Sequence, residues 1–157
     1  MLTRVVLLLS MVTAGLSAGL FFAFAYAVMP GLARAGDRTL VTAMQAVNVT
    51  ILNPMFLVVY LGPVVFGTAT VVALLGDEQG DVLGWAIAGV AISLIGVIVV
   101  TAAFNIPLNN ALDASGDTDH AATRQAFESP WNRYNALRTI ASTAAFGCFA
   151  WAGLIWS

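Results

Sequence analysis

Long apolar runs constrain this chain more than anything else in it. Segments at about 4–32, 55–75, 82–112 and 130–156 are each long and apolar. Roughly 20 apolar residues cross a bilayer in a helix. The composition agrees, with 60% hydrophobic residues, 9% charged ones and a mean hydropathy of +0.90. A soluble domain carries about 25% charged residues. The sequence therefore describes an integral membrane protein, and its length makes one domain over 1–157 the expectation.

The predicted fold is all-α. Four transmembrane helices form an up-down-up-down bundle. An extra amphipathic helix at about 38–53 follows the first, and a short helix lies in the loop between the third and fourth. Arg4 before an apolar run, with Ala25-Tyr26-Ala27 further on, looks like a secretory leader. That run is longer than the roughly 7–15 residues of such a leader, so it reads as a retained helix.

Punctuation supports these boundaries. Gly36-Asp37 breaks the first segment, with Asp37 as a plausible N-cap. Leu40, Val41, Met44, Val47 and Ile51 then make one apolar face, and Thr42, Gln45 and Asn48 a polar stripe. That stripe faces either water or the protein interior. Asn53-Pro54 and Ser129-Pro130 are helix starts. Pro63 lies within the second long helix and should bend it. Residues 76–81 read as a short acidic turn. His120 to Glu128 would be the short helix, capped by Asp117 or Asp119. Gly15, Gly19 and Ala23 repeat every four residues, and Gly89, Ser93 and Gly96 make a second small face, both suited to close helix approach.

Arginine supplies all the positive charge, six residues with no lysine. Arg34, Arg38, Arg124, Arg133 and Arg138 fall on the side of the first and third loops. The termini and the middle loop carry Arg4. The positive-inside rule places the Arg-rich loops in the cytoplasm of a bacterial-type plasma membrane. A net charge of -2 does not point to nucleic acid. The single cysteine, Cys148, rules out an intrachain disulfide and reads as an inert buried thiol. Nothing in the sequence fixes the oligomeric state, and a homo-oligomer is compatible with it.

The unusual residues are polar ones in apolar sequence. Thr101, Asn105 and Asn109 lie at i, i+4 and i+8 on the third helix. Trp131, Asn135 and Arg138 lie at i, i+4 and i+7 on the fourth. A charge inside an apolar span marks a functional site by default. Asparagines also serve as helix glue, arginine as a headgroup anchor and tryptophan as an interface residue. Phe21, Phe22, Phe24 and Tyr26 form either an interfacial belt or the wall of a pocket for a flat ligand. With one histidine and no helical Glu-x-x-His pair, a carboxylate di-metal site is not expected. No phosphate-binding glycine loop appears.

Ser17-Ala-Gly-Leu-Phe-Phe-Ala-Phe24, Met29-Pro30, Asn53-Pro54, Phe104-Asn-Ile-Pro-Leu-Asn-Asn110 and Trp131-Asn-Arg-Tyr-Asn-Ala-Leu-Arg138 together resemble the DUF1772 family. These small membrane proteins are grouped with the anthrone oxygenases of polyketide pathways. The resemblance implies oxidation of an anthrone-like phenolic or polycyclic substrate by molecular oxygen, with no organic cofactor and no metal. Its expected catalytic residues are Asn105, Asn109, Asn135, Arg138 and His120. Phe21, Phe22, Met29, Gln45, Asn48, Asn110, Trp131 and Tyr134 are expected to hold a small hydrophobic aromatic substrate arriving from the lipid bilayer. Two other readings stand beside it: a non-catalytic protein that binds a lipid, quinone or partner helix, and a metal- or haem-dependent oxidase.

Overall fold

In a computed structural model, described at residues 1–75, 80–117 and 119–156, the chain is all-helical. Three helices are long and apolar enough to cross a membrane: Leu2–Arg34, Pro54–Leu74 and Gly80–Ala114. Their outer faces carry exposed Val5, Leu8, Val12, Leu16, Val58, Val65, Ile87 and Ile95. Such continuous apolar exposure is foreign to a water-soluble monomer, and this is an integral membrane protein.

The first rod comprises α1 (Leu2–Ala23), a π-helical stretch at Phe24–Val28, and α2 (Met29–Arg34). Then come α3 (Asp37–Thr50) and α4 (Pro54–Leu74). The third rod is α5 (Gly80–Ser93), π-helical stretches at Leu94–Val99 and Thr101–Asn105, and α6 (Ile106–Ala114). The last helix is α7 (His120–Ile155). α1 packs on both α4 and α7, and α5 packs on the same two.

Two of the π-helical stretches end just before a proline, Pro30 or Pro107. Proline has no N–H and its ring crowds the carbonyl one turn back. A wider turn relieves that crowding without ending the helix. Buried residues then recur every fourth position through the third rod, at Ser93, Val97, Thr101 and Asn105.

The helix ends and the prolines can be taken in order. Gly36, with φ 95°, is the N-cap of α3, so Asp37 opens the helix instead of capping it. Only glycine adopts that conformation without strain. Asn53 does cap α4, its Oδ1 accepting from the Phe56 amide at 3.0 Å. Pro63 lies buried inside α4, which runs unbroken from Pro54 to Leu74. Asp119 caps α7 by accepting from the Ala122 amide at 3.0 Å. The short helix expected at His120–Glu128 and the helix expected from Pro130 are one element. Phe127 and Trp131, one turn apart around Pro130, are buried in the same cluster, which keeps the two parts in line. The acidic turn expected at 76–81 falls mostly outside the described residues, while Asp81 lies in the first turn of α5.

Two apolar clusters mark the ends of the molecule. Leu7, Leu74, Val82, Phe149 and Ala152 pack together near the termini. Met29, Leu40, Val41, Met44, Leu112, Phe127 and Trp131 close the opposite end. Gly15 faces Phe146, where an added Cβ would lie at 3.4 Å, but the tightest approaches are at other glycines. A Cβ on Gly67 or Gly89 would fall 2.8 or 2.7 Å from the Phe149 ring, and one on Gly62 would meet Thr13 at 2.6 Å. Gly96 abuts Ala141, whereas a Cβ added to Gly19 would meet nothing within 4 Å outside its own helix backbone. Ser93, in the second small face, is buried.

Candidate functional site

Between these clusters lies a cavity of about 370 Å³. Its wall is mainly apolar: Leu20, Phe21 and Phe24 from the first rod, Met44 and Val47 from α3 with Ile51 just after it, Phe56, Leu57 and Tyr60 from α4, and Ile106 from α6. The polar wall is Asn48, Thr101, Asn109, Asn110, Asp113, Trp131, Asn135 and Arg138. Few polar groups in a mainly apolar hollow is the usual make-up of a small-molecule site.

The two polar rows meet as the helical spacing indicates. Arg138 Nη1 donates to Thr101 Oγ1 at 3.3 Å, and Trp131 Nε1 donates to Asn109 Oδ1 at 3.0 Å. Rising numbers on one helix pair with falling numbers on the other, so the third rod and α7 run antiparallel. Asn135 links Arg138 to the first rod. Its Oδ1 accepts from Arg138 Nη2 at 2.9 Å, and its Nδ2 donates to the Phe21 carbonyl at 3.0 Å.

Arg138 is 6% exposed. Its guanidinium carbon lies 4.4 Å from the centre of the Phe21 ring and 5.5 Å from that of Trp131. Aromatic faces attract cations. Among the described residues, no carboxylate forms an ion pair with Arg138, and its Nε has no hydrogen-bond partner. A buried cation without a counter-charge is costly. Here it lines a cavity, where an anionic or strongly dipolar ligand oxygen would complete its coordination.

α3 supplies a lid on one side. Asn48 faces inward, its Nδ2 donating to Asp113 Oδ1 at 3.1 Å. Gln45 Nε2 donates to the Leu112 carbonyl at 3.0 Å and to the Gly116 carbonyl at 3.3 Å, so it ties α3 to the end of α6 without lining the cavity. The polar stripe of α3 thus turns inward at Gln45 and Asn48, and Thr42 stays exposed.

The remaining sequence-predicted residues separate. Phe21 and Asn110 line the cavity, but Phe22 is exposed and packs 4.6 Å from Tyr26 on the outside. Met29 is buried in the apolar cluster beside the cavity. Tyr134 stacks on Phe104 with ring centres 4.2 Å apart, away from the cavity wall. Asn105 is fully buried, and neither end of its carboxamide has a hydrogen-bond partner among the described residues. His120 stands at the start of α7 with Nε2 2.9 Å from Asp117 Oδ1, outside the cavity. Cys148 is a buried free thiol. Among the described residues, no group of three His, Cys, Asp or Glu side chains gathers as a metal-ligand set.

Sequence reasoning missed Tyr60, Phe56 and Asp113 on the wall. Tyr60 and Phe56 lie one turn apart and stack at 5.3 Å. Their i, i+4 spacing was the available signal. Asp113 follows Asn109 by four residues and so continues the row Thr101, Asn105, Asn109.

Together these features define a helical membrane protein with a mainly apolar cavity, on whose wall lies a guanidinium without a carboxylate partner among the described residues. Residues 55–148 match the model of the anthrone oxygenase family, and the chain belongs to that family. The matched stretch contains Asn109, Asp113, Trp131, Asn135 and Arg138, while Phe21 and Asn48 lie before it. No curated protein and no solved structure matches the chain.

Proposed function

We propose that this protein is a membrane oxygenase that converts an anthrone-like phenolic polycycle to its quinone with molecular oxygen and no organic cofactor. The buried Arg138 guanidinium on the cavity wall, without a carboxylate partner among the described residues, carries this reading. An anthrone that loses its methylene proton becomes an electron-rich enolate. Arg138, held by Asn135 and Thr101, faces the developing oxygen charge, and preorganised donors of this kind are usually the largest catalytic contribution. Phe21, Phe24, Phe56 and Trp131 offer flat apolar faces for the rings. The substrate gives up two hydrogens. One oxygen atom enters the new carbonyl and the other leaves as water.

In this reading α7 crosses the bilayer together with the three more apolar rods, giving four spans. The end bearing Arg34, Arg38, Arg124 and Arg133 faces the cytoplasm, as the positive-inside rule favours. The substrate reaches the cavity from the lipid.

The test is to mix purified protein in detergent with an anthrone and follow quinone absorbance and oxygen uptake. The expected result is turnover that Arg138→Ala lowers by about 100-fold or more, the scale seen when one oxyanion donor is lost. Wild-type turnover no faster than that of Arg138→Ala overturns the reading. Tight anthrone binding without oxygen uptake would instead identify a carrier or scaffold.

A further inference from the structure

Arg138 stabilises negative charge but cannot take up the proton whose loss creates it. Among the residues of the cavity wall three are ionisable and could bear on that proton: Arg138, Tyr60 and Asp113. The Tyr60 hydroxyl is directed at the Ile98 carbonyl, 3.5 Å away. A phenol is an acceptor only after losing its own proton. His120 lies outside the cavity, paired with Asp117.

We infer that Asp113 is the proton acceptor of this site, resting on the oxygenase reading above. One carboxylate oxygen is held by Asn48 at 3.1 Å, which fixes the group on the wall, and the other bears no hydrogen bond among the described residues. Helical side chains lean toward the N-terminus of their own helix. Asp113 on α6 therefore leans toward Asn109. Arg138, on the antiparallel α7, leans toward Trp131. The Trp131–Asn109 bond lies between them, so acid and cation converge on the same hollow from opposite ends. Asp113 is also exposed, so a captured proton can pass to water before the next turnover.

The step balances. The methylene C–H of the substrate breaks, its proton bonds to the Asp113 carboxylate, and the electron pair moves through the ring to the carbonyl oxygen beside Arg138. Oxygen then oxidises the enolate. A substrate of this class must carry an acidic C–H across one ring from its carbonyl, which excludes already aromatic phenols lacking such a carbon.

The test compares anthrone turnover by wild type, Asp113→Asn and Asp113→Glu. The amide keeps an acceptor for Asn48, and general-base catalysis contributes about 100- to 10,000-fold. The expected result is a kcat loss of about 100-fold in Asp113→Asn with KM within threefold, partial recovery with added formate, and a smaller loss in Asp113→Glu. Asp113→Asn turnover within threefold of wild type overturns the inference. So does a loss that formate fails to restore and that appears mainly in KM, which would mark Asp113 as a positioning residue. A wild-type protein without anthrone turnover overturns the oxygenase reading itself, a separate result.

Discussion

The indole N–H of Trp131 donates to Oδ1 of Asn109 across 3.0 Å. This bond joins the last helix to the third rod at the level where both line the cavity. It uses the Asn109 carboxamide oxygen, while the amide nitrogen makes no hydrogen bond among the described residues, and it holds the indole near Arg138. Phe24 and Phe127 flank the same ring at centroid distances of 5.8 and 6.0 Å. The indole is thus clamped on its apolar sides and pinned by its one donor.

Trp131→Phe separates those roles. It keeps an aromatic face beside Arg138 and removes the donor. The expected cost is about 1 kcal/mol of stability, the usual net worth of one such bond. Anthrone turnover should fall less than in Trp131→Ala, which also removes the ring. Thermal unfolding in detergent and kcat/KM measure the two effects. Equal activity losses in both variants would show that the bond, and not the ring, sets activity.

The glycines facing Phe149 set how closely three helices approach. Gly67→Ala and Gly89→Ala each drive a methyl group into the same ring, and overpacking of this kind costs about 1–3 kcal/mol. Because both press on one side chain, the double variant should lose less than the sum of the singles. Gly19→Ala meets open space and should be neutral or gain about 0.5–1 kcal/mol, since alanine favours a helix interior. Unfolding midpoints of the four variants in one detergent check this, and a Gly19→Ala protein as unstable as Gly67→Ala would refute it.

His120 is the side chain most often suspected of proton transfer near neutral pH. Its place beside Asp117, away from the cavity, argues for a structural part at the start of α7. His120→Gln should retain anthrone turnover within threefold. A tenfold loss with unchanged unfolding would return the imidazole to the chemistry.

Much of the architecture was written in the apolar runs, because a bilayer demands length and hydrophobicity together. The row Trp131, Asn135, Arg138 was legible for a similar reason, since polar residues at helical spacing in apolar sequence share a face. Phe21 and Phe22 were not separable. They are adjacent and identical, and only packing decides that one turns inward and the other to the outside. Asp113 falls just past the third segment expected at 82–112, because the apolar run ends there although the helix continues to Ala114. Pro130 was read as a helix start, since Ser-Pro is a strong local signal. Burial of Phe127 and Trp131 on either side overrides it.

The π-helical stretch before Pro107 also has a consequence for phase. In a regular α-helix, residues four apart drift by about 40° at each step, given 3.6 residues per turn. From Ser93 to Asn109 that drift would carry the polar row about 160° around the rod, toward lipid. The wider turns of Leu94–Val99 and Thr101–Asn105 absorb most of this rotation, so the row stays on the side of α7. Asn109 thus owes its direction to a choice of backbone hydrogen bonds more than ten residues long. A segment regularised to pure α-helix would keep every side chain of the site and aim its amides at the membrane.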